Sequence, residues 1–169
     1  MFNEQLLIAL MTDTGSSATP AGSLESWLPA KVATIQALKS DRRIDIVVVA
    51  SDNEDLLAAA HDQDAVNMPL DNLIGEAQPL SQALRQVLAS DVQTIEDEAW
   101  VVSVDAALEA VTCARLVERA LVALVSNPQA LAVSALDTES GKPLLHLVQA
   151  ATFAKGDGLP EHGTFTFLA

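Results

Sequence analysis

The sequence predicts an α/β fold, a three-layer α/β/α sandwich built on a mainly parallel sheet. Three observations carry the prediction. Short apolar runs alternate with segments of helical periodicity through most of the chain. The clearest run, IDIVVVAS at 44–51, is β-branched and apolar on both faces, as interior parallel strands are. The first run, LLIALM at 6–11, gives way at once to the turn formers TDTGSSATPAGS. At 169 residues the chain is expected to form a single domain spanning 1–169.

The elements follow in order. LLIALM reads as a buried strand and 12–23 as a loop. In SWLPAKVATIQALKS, residues Trp27, Leu28, Val32, Ile35 and Leu38 have near-helical spacing, which predicts a helix over 29–40 with Pro29 at its start. IDIVVVAS is the next strand, and Asp52 is placed to cap the helix NEDLLAAAHDQ. AVNMPL reads as a short strand or an extended connection. LSQALRQVLAS is a helix with Leu80, Leu84, Val87 and Leu88 on one face. AWVVSV is a strand. Thr112, or the loop before it, starts the helix CARLVERALVALVSN, and Pro128 lies just past its end. On that helix Leu116, Ala120, Ala123 and Leu124 share a side, with Leu121, Val122 and Val125 around it. That width suits packing on a sheet and on a partner subunit. ALAVSAL is another strand. GKPLLHLVQAATFA, 141–154, reads as an extended hairpin arm or as a short strand and turn, and TFTFL near the C-terminus as a short terminal strand.

Composition narrows the function classes. The net charge of −14, from 23 acids against 9 bases, argues against nucleic acid, which needs clustered Lys and Arg, and against anionic membranes. No apolar run approaches the roughly 18 residues of a membrane span, and the N-terminus has no signal-peptide pattern, so a cytoplasmic protein is expected. With 4% aromatic residues and no Tyr, the core must be aliphatic. The single cysteine, Cys113, excludes an internal disulfide and reads as a small core residue, although a thiol near a helix start can be activated.

Two places could carry chemistry. The loop after the first strand lies where many α/β proteins hold phosphate on backbone amides, which makes Thr12, Gly15 and Ser16 candidates. It contains no Lys or Arg, its Asp13 repels phosphate, and it matches neither GxGxxG nor GxxxxGK[ST]. A plain surface loop is the competing reading. The second place is Asp105, a lone carboxylate at the end of an apolar strand, where open α/β sheets bind ligands. The competing reading makes it a cap of a turn or of the next helix. His61, His146 and His162 have no partners at metal spacing and read as structural or exposed. Arg42 and Arg43 read as a solvated helix end, and no nucleophile elbow is present.

Four stretches between residue 6 and about 140 give a family resemblance. LPAKVATIQALKSDRRIDIVVVAS is similar to a first helix and second strand. IGEAQPLSQAL looks like a Gly-Gly-x-x-Arg-x-x-Ser-Val segment, with Gly75 and Ser81 in place. WVVSVDAALEAVT is similar to a strand followed by His-Asp-Ala-Ala-Arg-Pro, with Asp105, Ala106 and Ala107 matching. VSALDTES resembles a Val-Thr-Asp-Thr-x-Lys stretch, with Asp137 and Thr138 matching. In this order and spacing they resemble the 2-C-methyl-D-erythritol 4-phosphate cytidylyltransferases of isoprenoid biosynthesis, within the nucleotide-diphospho-sugar transferase fold. The resemblance implies a nucleotide or small phosphorylated ligand near Thr12, Gly15, Ser16, Gly75, Ser81, Asp105 and Ala106, with Mg²⁺ on Asp105. It also implies a homodimer through an arm at 141–154.

The departures all remove positive charge. The family's first loop carries an Arg and a Lys, and this loop carries neither. Gln78, Leu108 and Ser140 stand at the family's other basic positions, with Lys142 the nearest base to the last. Nucleotidyl transfer depends on positioning and on positive charge around the phosphates. One lost donor costs roughly 10²–10³ in rate, so several such losses leave little catalysis. The favoured expectation is a catalytically impaired relative acting as a binding or interaction module. The alternative is a working nucleotidyltransferase with a rearranged phosphate site.

Overall fold

The computed structural model describes residues 5–13, 24–70, 79–90, 95–156, 159–160 and 162–169. Gly15, Ser16, Gly75 and Gln78 lie outside the described residues. Among the described residues seven strands form one sheet: β1 (Leu7–Thr12), β2 (Ile46–Ser51), β3 (Val66–Pro69), β4 (Trp100–Asp105), β5 (Ala132–Leu136), β6 (Pro143–Gln149) and β7 (Thr164–Leu168). Their order is β3-β2-β1-β4-β6-β5-β7, and of these strands β6 alone runs antiparallel to its neighbours.

Helices α1 (Leu24–Ser40), α2 (Glu54–Asp62) and α4 (Ala110–Ser126) cover one face, and α3 (Pro79–Ala89) and α5 (Ala150–Gly156) cover the other. The layering follows from period-2 alternation along buried strands. Leu7, Ala9 and Met11 of β1 join Val102 and Val104 of β4 beneath α1 and α4, while Ile8 and Leu10 join Val101 beneath α3. Both faces are apolar, as a sheet covered on both sides requires.

Several boundaries differ from expectation. Helix α1 begins at Leu24, and Pro29 lies inside it. Proline lacks only the N–H that would reach back four residues, so near a helix start it removes a single bond. Asn53, not Asp52, caps α2: its backbone is extended, and its side chain accepts from the Asp55 and Leu56 N–H groups at 2.9 and 3.1 Å. Replacing Asn53 with alanine is expected to lower stability by about 1 kcal/mol, read as a shifted urea midpoint at unchanged slope. Helix α4 starts at Ala110 with Glu109 at its cap, so Thr112 is interior.

Segment 141–154 takes the second of its two readings, a strand, continued by a helix rather than by a turn. These residues form β6 and α5 inside the sandwich, with Ser103 of β4 and Ser134 of β5 on either side of His146. They are not a projecting arm. The turn from β5 to β6 closes with Gly141 at φ 68, in the left-handed region, and with the Asp137 N–H on the Lys142 carbonyl at 2.8 Å.

Candidate functional site

Strand order reverses between β1 and β4: the chain leaves β1 toward β2 on one side and returns to β4 on the other. Ligands of open α/β sheets bind at such a switch point, beyond the carboxyl ends of the strands. Here β1 ends in Thr12 beside Asp105 of β4, and the Ala106 N–H donates to the Thr12 carbonyl at 2.7 Å. The structure therefore brings Thr12, Asp105 and Ala106 together. Ser81 is buried in the first turn of α3, on the face opposite α1.

Asp105 shapes the turn after β4. Its Oδ1 accepts from the Ala107 N–H at 2.8 Å, and its carbonyl accepts from the Leu108 N–H at 3.1 Å. The carboxylate thus closes a local turn, a common use of aspartate at such a junction. Burial pushes its pKa above the ordinary carboxylate value, against the pull of the Ala107 N–H and the Lys31 ammonium. Asp13, just past β1, is buried, and its Oδ2 accepts from the Ser51 hydroxyl at 3.0 Å.

Two further features mark the rim, and the first, Lys31, was not singled out from the sequence. Lys31 of α1 is only 7% exposed and donates its ammonium to the Ala106 carbonyl. One turn on, the Thr34 hydroxyl donates to the Ala30 and Leu108 carbonyls at 3.2 and 3.4 Å. Helix α1 is thus pinned to the 105–108 turn. Burial lowers the Lys31 pKa, and the carboxylates of Asp105 and Asp13 oppose that shift. The signal was present: Leu28, Lys31, Ile35 and Leu38 form a single stripe at helical spacing, and a lysine on an inward stripe requires partners. The second feature is the Thr12 hydroxyl, fully buried and without a hydrogen-bond partner among the described residues.

The remaining candidates are structural. Cys113 is buried, and burial pushes its thiol up to about 12, so it is not an activated nucleophile. His146 is buried with its Nδ1 2.8 Å from the Ser134 hydroxyl, while His61 and His162 are exposed. Arg43 ties Asp41 to Glu118 at the surface. Asp137 accepts from the Ser140 N–H and hydroxyl at 3.1 and 2.6 Å, holding the β5–β6 turn and drawing its pKa below the usual carboxylate value. Leu108, where the resemblance places an arginine, joins the core beneath α1 and α4. Among the described residues no three His, Cys, Asp or Glu side chains converge as a metal site, and no helix is long and apolar enough to cross a membrane.

No family model matches the sequence, and no curated protein matches it. The solved structures do show similarity. CMP:2-keto-3-deoxy-manno-octonic acid synthetase complexed with CTP matches at a TM-score of 0.63 and 13% identity, over 98% of this chain and 90% of that one. The 4-diphosphocytidyl-2C-methyl-D-erythritol synthase from Anaerococcus prevotii matches at 0.59 and 9%, over 97% and 87%. Glucosyl-3-phosphoglycerate synthase from Mycobacterium tuberculosis, in complex with Mn²⁺, uridine-diphosphate and glucosyl-3-phosphoglycerate, matches at 0.62 and 11%, over 99% and 71%. Identities this low establish the fold alone, which is that of the nucleotide-diphospho-sugar transferases.

Proposed function

We propose that this chain is a nucleotidyltransferase-fold binding protein, taking a nucleotide or small phosphorylated ligand at the β1–β4 rim without transferring a nucleotidyl group. One observation carries the reading. Lys31 is the cation acting on Asp105, it also acts on Asp13, and its ammonium is already held by the Ala106 carbonyl. It neutralises protein carboxylates and is not free to clamp a leaving pyrophosphate. At the other positions where the resemblance calls for a base, Leu108 lies in the core and Ser140 bonds Asp137. Charge that develops on phosphoryl oxygens then has no fixed positive partner at these positions, and that stabilisation is usually the largest part of such catalysis.

Mg²⁺ does not fit this rim with Lys31 in place. The Ala106 carbonyl, which would suit a hard cation, already accepts from the Lys31 ammonium, and that ammonium acts electrostatically on the Asp105 and Asp13 carboxylates. No step is routed through a metal. What the chain's own residues can do is bind donor groups: the Asp105 and Asp13 carboxylates accept from a ribose hydroxyl or a base N–H rather than from a phosphate, and the Thr12 hydroxyl lies buried beside them.

Two measurements test the reading. Pyrophosphate release is followed with CTP, methylerythritol 4-phosphate and Mg²⁺, and thermal stability is followed with CTP, UTP, GTP and ATP. No release is expected, together with a rise in melting temperature by at least one nucleotide, because a ligand of the native state must stabilise it. Turnover in the ordinary range of roughly 1–10³ s⁻¹, abolished by Asp105→Ala, would instead establish an active nucleotidyltransferase. Absence of any thermal shift would remove the nucleotide from the proposal and leave a protein-interaction role.

A further inference from the structure

A phosphate at the carboxyl end of an open sheet draws on three sources of positive charge. These are basic side chains after the first strand, a lysine at the rim, and the N-terminus of a helix that follows a strand. In this chain each source is absent or neutralised. Residues 14–23, which follow β1 in sequence, contain no Lys, Arg or His. Lys31 is the cation acting on Asp105, and its ammonium is held by the Ala106 carbonyl. Helix α4 starts just after the 105–108 turn, and its N-cap is an acid, Glu109.

The backbone of Glu109 is extended, at φ −68 and ψ 153, as an N-cap requires, but its side chain makes no capping hydrogen bond. The residue is exposed, so its carboxylate satisfies no buried group. What it supplies is negative charge at the positive end of the helix dipole, which offsets the attraction of that end for phosphate. Glu109 acts on Lys31 together with Asp105 and Asp13, so three carboxylates share one ammonium at this strand end. Other bases are engaged elsewhere. Lys39 donates to the Gln63 and Asp64 carbonyls at 2.7 and 3.0 Å, Arg43 pairs with Asp41 and Glu118, and Arg119 donates to the Leu168 carbonyl at 2.9 Å. The rim therefore repels anions. It still has a polar group to fill: Thr12 stands opposite Asp105 in register, and its fully buried hydroxyl has no hydrogen-bond partner among the described residues. Buried hydroxyls are ordinarily paired, so this one points to a group that a ligand supplies.

We propose that the rim holds the nucleoside part of its ligand and rejects the phosphates, with Glu109 as the residue that sets the rejection. The carboxylates of Asp105 and Asp13 accept from ribose hydroxyls or base N–H groups, and the Thr12 hydroxyl completes the polar contact. A nucleoside offers those donors without charge. A triphosphate offers the same donors and brings several negative charges toward Glu109. The selection rests on the rim taking a ligand of the nucleotide class at all, and the test separates the two questions.

Calorimetric titration compares cytidine, uridine, guanosine and adenosine with their triphosphates, without Mg²⁺ so that the phosphates keep their charge. At an ionic strength of about 0.01 M the nucleoside is expected to bind roughly tenfold more tightly than its triphosphate. At about 1 M the gap is expected to close, because the Debye length falls from about 30 to about 3 Å. Glu109→Lys is expected to raise triphosphate affinity roughly tenfold at the lower salt. It should change nucleoside affinity little, since a neutral molecule carries no charge for it to act on. A triphosphate that binds more tightly than its nucleoside, with affinity falling as salt rises, would overturn the selection and leave the rim reading intact. Unchanged triphosphate affinity in a folded Glu109→Lys protein would overturn the role of Glu109. No binding of any nucleoside or triphosphate at either salt would overturn the rim reading, and the selection with it.

Discussion

Lys31→Met is expected to lower stability by about 1–3 kcal/mol at neutral pH, the cost of leaving the buried Ala106 carbonyl without its donor. The methionine refills the space of the aliphatic stem, so the loss is electrostatic rather than a cavity. The buried ammonium holds the Ala106 carbonyl and offsets the carboxylates of Asp105 and Asp13. Without it, the two acids repel each other at the rim with no ammonium between them. The defect should depend on pH in a definite direction. Asp105 already titrates above the ordinary 3.8 in the folded state, and loss of the neighbouring ammonium raises its pKa further. Between 3.8 and that raised value the folded state binds more protons than the unfolded state. Stability of the variant therefore falls as pH rises through this window, and the difference from wild type shrinks on acidification. Urea unfolding of both proteins at pH 7 and pH 4 gives the comparison. A deficit of equal size at both pH values would mean that Lys31 contributes packing alone.

The same residue shows where the sequence was legible and where it was not. The strands were readable because fully buried parallel strands are continuous apolar runs, and β1, β2, β4 and β5 fall within a residue or two of the runs that announce them. Segment 141–154 was ambiguous for a physical reason. As an antiparallel strand set between β4 and β5, β6 needs a hairpin on one side, and PLLHLVQ satisfies an exposed arm or a buried strand almost equally well until its neighbours are known. Strand order is a long-range property that no local period encodes. At the rim, Asp105 was legible from its position at a strand end: it lies at the switch point, and it closes a turn. Lys31 was not, because the loop after β1 is where a phosphate-binding sheet ordinarily carries its bases. The chain supplies this positive charge from α1, across 75 residues of sequence from the Ala106 carbonyl that receives it. Contacts of that separation depend on how α1 packs over the β4–α4 turn, and an amphipathic pattern records only that a polar residue faces inward.

Acidification from pH 6.5 to 4 is expected to lower stability through His146 by about 3 kcal/mol. Burial drives the imidazole down to about 4 from 6.5, and the Ser134 hydroxyl bonded to Nδ1 is neutral, so nothing on that side repays a proton. Ser103, opposite His146 on the other neighbouring strand, is likewise uncharged and buried. The direction follows from proton counting. Between 6.5 and about 4 the unfolded chain binds a proton at this residue and the folded chain does not, so stability rises with pH across that window. It is fully present above 6.5 and lost progressively as pH falls toward 4. A tenfold change in proton affinity between the folded and unfolded chain is worth about 1.4 kcal/mol, which sets the size. Asp105, whose pKa is raised, acts in the opposite direction, so the pH dependence of wild type alone mixes the two groups. His146→Gln separates them, since glutamine stays neutral and can still hydrogen-bond Ser134 while Asp105 is unchanged. The difference between the two stability curves should widen in favour of the variant as pH falls, by about 3 kcal/mol in all. Parallel curves across the window would mean that the folded protein accommodates the imidazolium, and that the Ser103, His146 and Ser134 row is open to water in solution.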